Sequence, residues 1–121
     1  MILQIKYTIG INEIILVKTF AQSVLNIDTT VSVLINNAGI MFGPRKETED
    51  GYESQLATNY LGHFLLTHLM LPGLTKSAAD NKSVSSGQCR IVNVSSCASY
   101  MGNDIKLSLA LYLRIILQDP G

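Results

Sequence analysis

Val31-Ser-Val-Leu-Ile-Asn36-Asn37-Ala38-Gly39 decides the fold. Five of the six residues at 31–36 are β-branched, apolar or small. The run is too short for a helix and is flanked by turn formers, so the pattern predicts a buried strand. Two carboxamides and a glycine follow at its carboxyl end, where open α/β sheets place their ligands. Asparagine donates and accepts at once, and Gly39 lets the backbone approach a bound group closely. An Asn-Asn-Ala-Gly turn taken alone is more often a plain loop. Its reading as a site depends on signals further along the chain.

Working outward, residues 2–9 read as an edge strand, with Gln4 and Lys6 alternating with apolar neighbours. Ile14, Val17, Phe20, Ala21, Val24 and Leu25 recur at helical spacing, with Asn12 as cap and Glu13 in the first turn. A second helix is predicted over 52–71, ended by Pro72-Gly73. Residues 76–88 are rich in serine and carry Asp80, Asn81 and Gly87, which predicts a loop. Arg90-Ile-Val-Asn-Val-Ser95 reads as a second buried strand and 105–118 as a third helix. The order β-α-β-α-β-α implies an α/β fold, a doubly wound parallel sheet with right-handed crossovers. Three strands are few for such a sheet, so an incomplete version of it is expected, with residues 1–121 forming one partial domain.

Composition narrows the function. Hydrophobic residues make up 47% and charged residues 15%, and formal net charge is zero, which describes a packed chain and excludes nucleic-acid binding steered by positive charge. The first residues suggest no secretory signal or anchor. The apolar run 107–117 is broken by Ser108 and Arg114 and is too short to span a bilayer. Cys89 and Cys97 flank a predicted strand, too far apart along it for a bridge, so reduced interior thiols in a cytoplasmic or cytosol-facing protein are expected. His63 and His68 lack ligand partners nearby and read as structural. Asn81-Lys-Ser83 and Asn93-Val-Ser95 are glycosylation sequons by pattern only, the second on a strand expected to be buried. Met41, Met70 and Met101 read as core or pocket lining, and Arg45 as a solvated loop charge.

Three features converge: Asn36-Asn37-Ala38-Gly39 at one strand end, Asn59 inside the second helix, and Ser95-Ser96 at the end of the next strand. In a parallel sheet both strand ends lie on one rim. Asn59 sits between Leu56 and Phe64, so it is expected to face inward and to have a partner, because an unpaired buried amide is costly.

These segments, with Pro44-Arg45, Thr48-Glu-Asp-Gly-Tyr-Glu53 and Asn59-Tyr-Leu-Gly-His-Phe-Leu-Leu-Thr67, resemble the short-chain dehydrogenase/reductase family, above all its retinol dehydrogenase-like members. The resemblance covers residues 14–97 as successive motifs in order. It implies a Rossmann-like fold and an oxidoreductase dependent on NADP or NAD, acting on lipophilic alcohols or carbonyls. It further implies that Asn36, Ala38 and Gly39 stabilise the sheet and line the cofactor site. Asn59 would hold a water in a proton relay, and Ser96 would hydrogen-bond the substrate oxygen. A tyrosine would act as acid or base, its pKa lowered by a lysine four residues later. The helix 52–71 is, in such relatives, a packing surface for a second subunit. Relatives are often held at the endoplasmic reticulum membrane, and no anchor is seen here.

The chain departs from that pattern. Gly10 is the only glycine before Gly39, so no glycine-rich pyrophosphate turn is seen, and Gly10 stands where relatives carry an aspartate near the adenine. No Tyr-x-x-x-Lys occurs: Tyr100 is followed four residues later by Asp104 and Tyr112 by Ile116. The stretch from Lys106 to Tyr112 resembles the one that begins with the family's catalytic lysine. On that alignment Gly102 takes the tyrosine's place and a segment bearing the tyrosine is deleted, as in an alternatively spliced or mispredicted product. The alternative is a chance likeness between apolar helices. Two functions stand: an oxidoreductase, inactive as this chain alone, or a non-catalytic fragment that associates with the parent enzyme.

Overall fold

The computed structural model describes residues 10–27, 30–79 and 89–102. Helix α1 spans Ile14–Ile27 and strand β1 Val33–Asn36. A short helix α2, Ser54–Leu56, runs through a widened turn, Ala57–Leu61, into α3, Gly62–Ala79. Strand β2 is Arg90–Asn93, and a 3₁₀ turn at Cys97–Met101 follows it. The expected strand at 2–9 and helix at 105–118 lie outside the described residues.

β1 and β2 are parallel neighbours, registered Val33↔Arg90, Leu34↔Ile91, Ile35↔Val92 and Asn36↔Asn93. The Arg90 N–H donates to Ser32 O and the Val94 N–H to Asn36 O, both at 3.0 Å. A parallel pair joined through a helical crossover is the unit of a doubly wound sheet, so the Rossmann-like α/β expectation holds for the part described. Registered residues share a face. Leu34 and Asn36 face α3, whereas Val33, Ile35 and Val92 are 49%, 60% and 41% exposed on the other side.

The core lies between α1 and the helical rod. Val17 and Ala21 pack with Ala57, Leu61, Leu65, Leu66, Met70 and Leu74, and Leu34 of β1 adds to the cluster. Each of the valine, leucine and methionine side chains contributes about 1.5–3 kcal/mol by leaving water, and each alanine less. α1 is capped differently from the expectation: the Ile14 N–H donates to Asp50 Oδ2 at 2.8 Å, so this first-turn donor is satisfied from 36 residues away and not by Asn12.

The second helix does not stop at Pro72-Gly73. Pro72 removes one donor from the ladder, but it and His68, whose carbonyl loses that partner, are exposed, so water can satisfy the group. Beyond Pro72 the inner face continues through Gly73, Leu74 and Ser77, all buried. The Val31 N–H donates to Gly73 O at 3.1 Å and the Ser32 and Ser77 hydroxyls meet at 3.1 Å. Packing against the entry to β1 therefore outweighs the local breaker. Residues 76–79 belong to α3 and not to the expected loop.

Other expectations need correction. β2 is exposed along its length, so Asn93 is not on a buried strand. Both strands are shorter than the apolar runs that suggested them, because pairing extends only through the four registered residues. Cys89 and Cys97 are free thiols, but Cys97 is exposed on the 3₁₀ turn and not interior. Met70 is in the core, whereas Met41 and Met101, on the loops beyond the strands, are 59% and 84% exposed.

Candidate functional site

The parallel register brings the ends of β1 and β2 to one rim. Asn36 ends β1 with its side chain buried, 4% exposed, beneath that rim. Its Nδ2 donates to Asn93 Oδ1 at 2.7 Å and to Thr67 Oγ1 of α3 at 2.9 Å. The carboxamide thus ties both strands to the helix that joins them. Its Oδ1 is buried with no hydrogen-bond partner.

Above it, Asn37, Ala38 and Gly39 form the exposed start of the loop leading to Ile40. Asn59 holds this loop by both ends of its carboxamide. The Ile40 N–H donates to Asn59 Oδ1 at 2.8 Å, and Asn59 Nδ2 donates to the Ile40 carbonyl at 2.9 Å. The expected partner exists, but Asn59 is exposed and does not face inward. The reason lies in the turn that carries it. Its closing bond runs from the Gly62 N–H to Ala57 O, five residues back, so one extra residue is accommodated and the local rotation changes. Asn59 then meets the loop while Leu61 and Leu65 stay on the inner face. The Asn59 carbonyl lies 3.3 Å from His63 Nδ1, one turn on.

Ser96 follows β2 and opens the 3₁₀ turn. Its Oγ accepts the Ala98 N–H at 3.2 Å, and its carbonyl accepts from the Ser99 N–H and hydroxyl at 3.1 and 2.7 Å. A hydroxyl that accepts in this way keeps its proton for another acceptor. Ser95 and Ser96 are both exposed.

The aim of α2 is set by Glu53. Its carboxylate accepts the Gln55 and Leu56 N–H groups at 3.0 and 2.8 Å. Chiefly the Gln55 bond, then that of Leu56, holds its pKa below the ordinary carboxylate value, against a smaller opposing effect of burial. The preceding turn needs Gly51, whose φ is +76° and whose N–H donates to Thr48 O at 2.9 Å.

Asn59 thus meets the loop that Ala38 and Gly39 begin above Asn36, Ser96 follows the neighbouring strand end, three residues beyond its last registered residue, and Lys106 lies outside the described residues. Tyr100 is 92% exposed on the 3₁₀ turn. Sequence reasoning missed the structural roles of Thr67, Asn93 and Gly62. Asn93 could have been found, being the one polar residue within an otherwise apolar strand stretch, 91–94. Among the described residues no group of three or more histidine, cysteine or acidic side chains could hold a metal. No helix among them is long and apolar enough to cross a membrane.

A family model described as short chain dehydrogenase matches residues 7–108. The chain is 44% identical to polyprenol dehydrogenase of Mus musculus and 45% identical to retinol dehydrogenase 11 of Homo sapiens, each over 86 residues. Each match covers 71% of this chain and 24% of the relative. A crystal structure of an uncharacterized protein from Mycobacterium paratuberculosis is 48% identical, covering 52% of this chain and 22% of its own, at a TM-score of 0.47. The chain therefore spans about a quarter of the length of the curated relatives it matches.

Proposed function

Because the chain belongs to the short-chain dehydrogenase/reductase family, a family of oxidoreductases, we propose that the rim carrying Asn37–Gly39 and Ser96 is the nicotinamide side of an NAD(P) site serving a lipophilic alcohol or carbonyl. One observation carries this reading: Asn59 clamps Ile40 at both backbone groups and so fixes a small-residue loop beside the Ser96 hydroxyl's strand end. The nicotinamide edge fits the residues present. Ala38 and Gly39 are exposed, and among the described residues a Cβ built at Gly39 would find only Asn59 Oδ1 within 4 Å, at 3.7 Å, which leaves room on the loop's outer side. Asn36 acts from below, holding the strand ends together.

When bound, the nicotinamide would take hydride from the carbinol carbon of an alcohol or, in its reduced form, give hydride to a carbonyl carbon. This chain's residues do the rest by position. Ser96, accepting from Ala98, has its proton to donate to the substrate oxygen. Asn59 keeps the 37–40 loop from collapsing over the space beside it. Polyprenol and retinol, in the names of two relatives, are isoprenoid alcohols, which makes that class the first to try. No Tyr-x-x-x-Lys stands in the 121 residues, the residue four before Lys106 being Gly102, so we propose that the chain alone turns over negligibly.

Saturation-transfer NMR of the purified chain with NADP and with NAD tests this. Transfer to the nicotinamide protons, lost in Gly39→Leu, is expected, with no absorbance change at the reduced-nicotinamide band on adding retinol. Absence of transfer to either nucleotide would refute the cofactor reading, and retinol-dependent reduction would refute the inactivity.

The second reading, a non-catalytic fragment associating with a parent enzyme, is favoured by Val33, Ile35, Val92 and Val94, β-branched residues 41–60% exposed. Co-elution with a full-length relative on size exclusion would support it.

A further inference from the structure

We propose that Gly62 is a positioning residue for the 37–40 loop, acting through Asn59. This rests on the reading of that loop as part of the cofactor site, although the geometry stands without it. Gly62 does two things at one point. Its N–H makes the bond to Ala57 O that closes the widened turn carrying Asn59. Its missing side chain leaves room for the backbone of the segment entering α1. A Cβ at Gly62 would collide with the Ile11 carbonyl oxygen, and would lie 2.6 Å from Ile11 Cγ1 and 3.1 Å from the Ile11 carbonyl carbon.

A side-chain tip could swing away from such a collision, but a backbone carbonyl cannot. Ile11 is itself held: the Glu13 N–H bonds Gly10 O at 3.0 Å, and the Ile14 N–H bonds Asp50 at 2.8 Å. A side chain at 62 must therefore displace the turn, because the other partner is anchored on both sides. The turn is the softer member, since a five-residue-spaced turn reverts to ordinary helical spacing by losing one residue's bulge. That reversion rotates Asn59 by about 100° about the helix axis, and a carboxamide so displaced cannot meet Ile40 N–H and C=O together. The line of action runs from the Ile11 seat through Gly62 and the widened turn to Asn59 and Ile40.

Amide hydrogen exchange by NMR on the 121-residue chain without nucleotide tests the proposal. The Ile40 amide, bonded to Asn59, is compared with the Val94 amide, bonded to Asn36 in the sheet. In Gly62→Ala, Ile40 exchange is expected to quicken about tenfold relative to Val94, the loss of one ordinary hydrogen bond. Asn59→Leu should give the same relative change, and the double variant should add nothing to it. Leu74→Ala, which opens the core away from the loop, should quicken both amides alike.

Equal acceleration of Ile40 and Val94 in Gly62→Ala, outright unfolding included, would overturn the proposal by making Gly62 a packing residue of the whole fold. So would multiplying effects in the double variant. Failure of nucleotide contact in the saturation-transfer experiment would sink the cofactor reading and leave this result standing.

Discussion

Replacing Asn36 separates a carboxamide that belongs to the sheet from one offered to a ligand. Its Nδ2 makes two internal hydrogen bonds, of 2.7 and 2.9 Å, while its Oδ1 is buried and unpaired. In Asn36→Leu both bonds go, a loss of about 2 kcal/mol at about 1 kcal/mol net each. The unpaired oxygen goes too, which returns about 1 kcal/mol, the lower end of the cost of a buried orphan. Asn93 is exposed and Thr67 only half-buried, so both former partners can turn to water and little further penalty follows. A net loss of about 1 kcal/mol is expected. Asn36→Ala should cost about 1–2 kcal/mol more, because it also leaves a void beneath the strand ends.

Asn36→Asp is the decisive variant. It keeps the shape but buries a carboxylate, so its pKa in the folded chain rises above the unfolded value. With a raised folded pKa, stability is fully present below the unfolded pKa and is lost as pH rises through the folded one. Urea denaturation followed by circular dichroism at about pH 4 and about pH 7 reads both effects through the midpoint. Asn36→Asp should approach the parent at the lower pH and fall well short of it at the higher. If Asn36→Ala leaves the midpoint unmoved, or Asn36→Asp shows no recovery in acid, the side chain is in water and the reasoning fails.

Two further outcomes follow from the caps. Asp50→Ala should lower stability by about 1 kcal/mol through the orphaned Ile14 N–H, seen as a lower melting temperature, and Asp50→Asn should restore most of it. Glu53, whose folded pKa is depressed chiefly by the Gln55 N–H, contributes stability that is present above the unfolded carboxylate pKa and is lost as pH falls through the folded one. The melting-temperature gap between the parent and Glu53→Gln should therefore close in acid; a gap independent of pH would contradict the capping role.

What the sequence made legible was what depends on near neighbours. The 31–36 and 90–95 runs carry their strand character in β-branched residues, and the parallel pairing follows from the helix between them. The rim was legible for the same reason, since parallel strands end on one side. Three features were not. Pro72 is a helix breaker by local rule, and only the Ser77–Ser32 and Gly73–Val31 contacts reveal why α3 passes it. Asp50 caps a helix 36 residues earlier, beyond any sequence window. The widened turn at Ala57–Leu61 has no compositional mark, so the sequence could show that Asn59 needs a partner but not that it turns outward.

The two asparagines at the rim show why residue type alone does not assign a role. Both are carboxamides within reach of the same loop, yet one is 4% exposed and the other is open to solvent. At Asn36 burial makes the amide a joint: its donor atoms bind two elements, and replacing it is felt through stability. At Asn59 both ends of the amide act on one residue, Ile40, taking its N–H and its carbonyl together. An aspartate could accept there but not donate, and a leucine could do neither. Exposed hydrogen bonds add little to global stability, since water competes for every partner. The Asn59 clamp is therefore better suited to fixing where a loop lies than to holding the fold together. A residue whose loss moves a loop without unfolding the chain is one whose effect belongs to whatever that loop contacts.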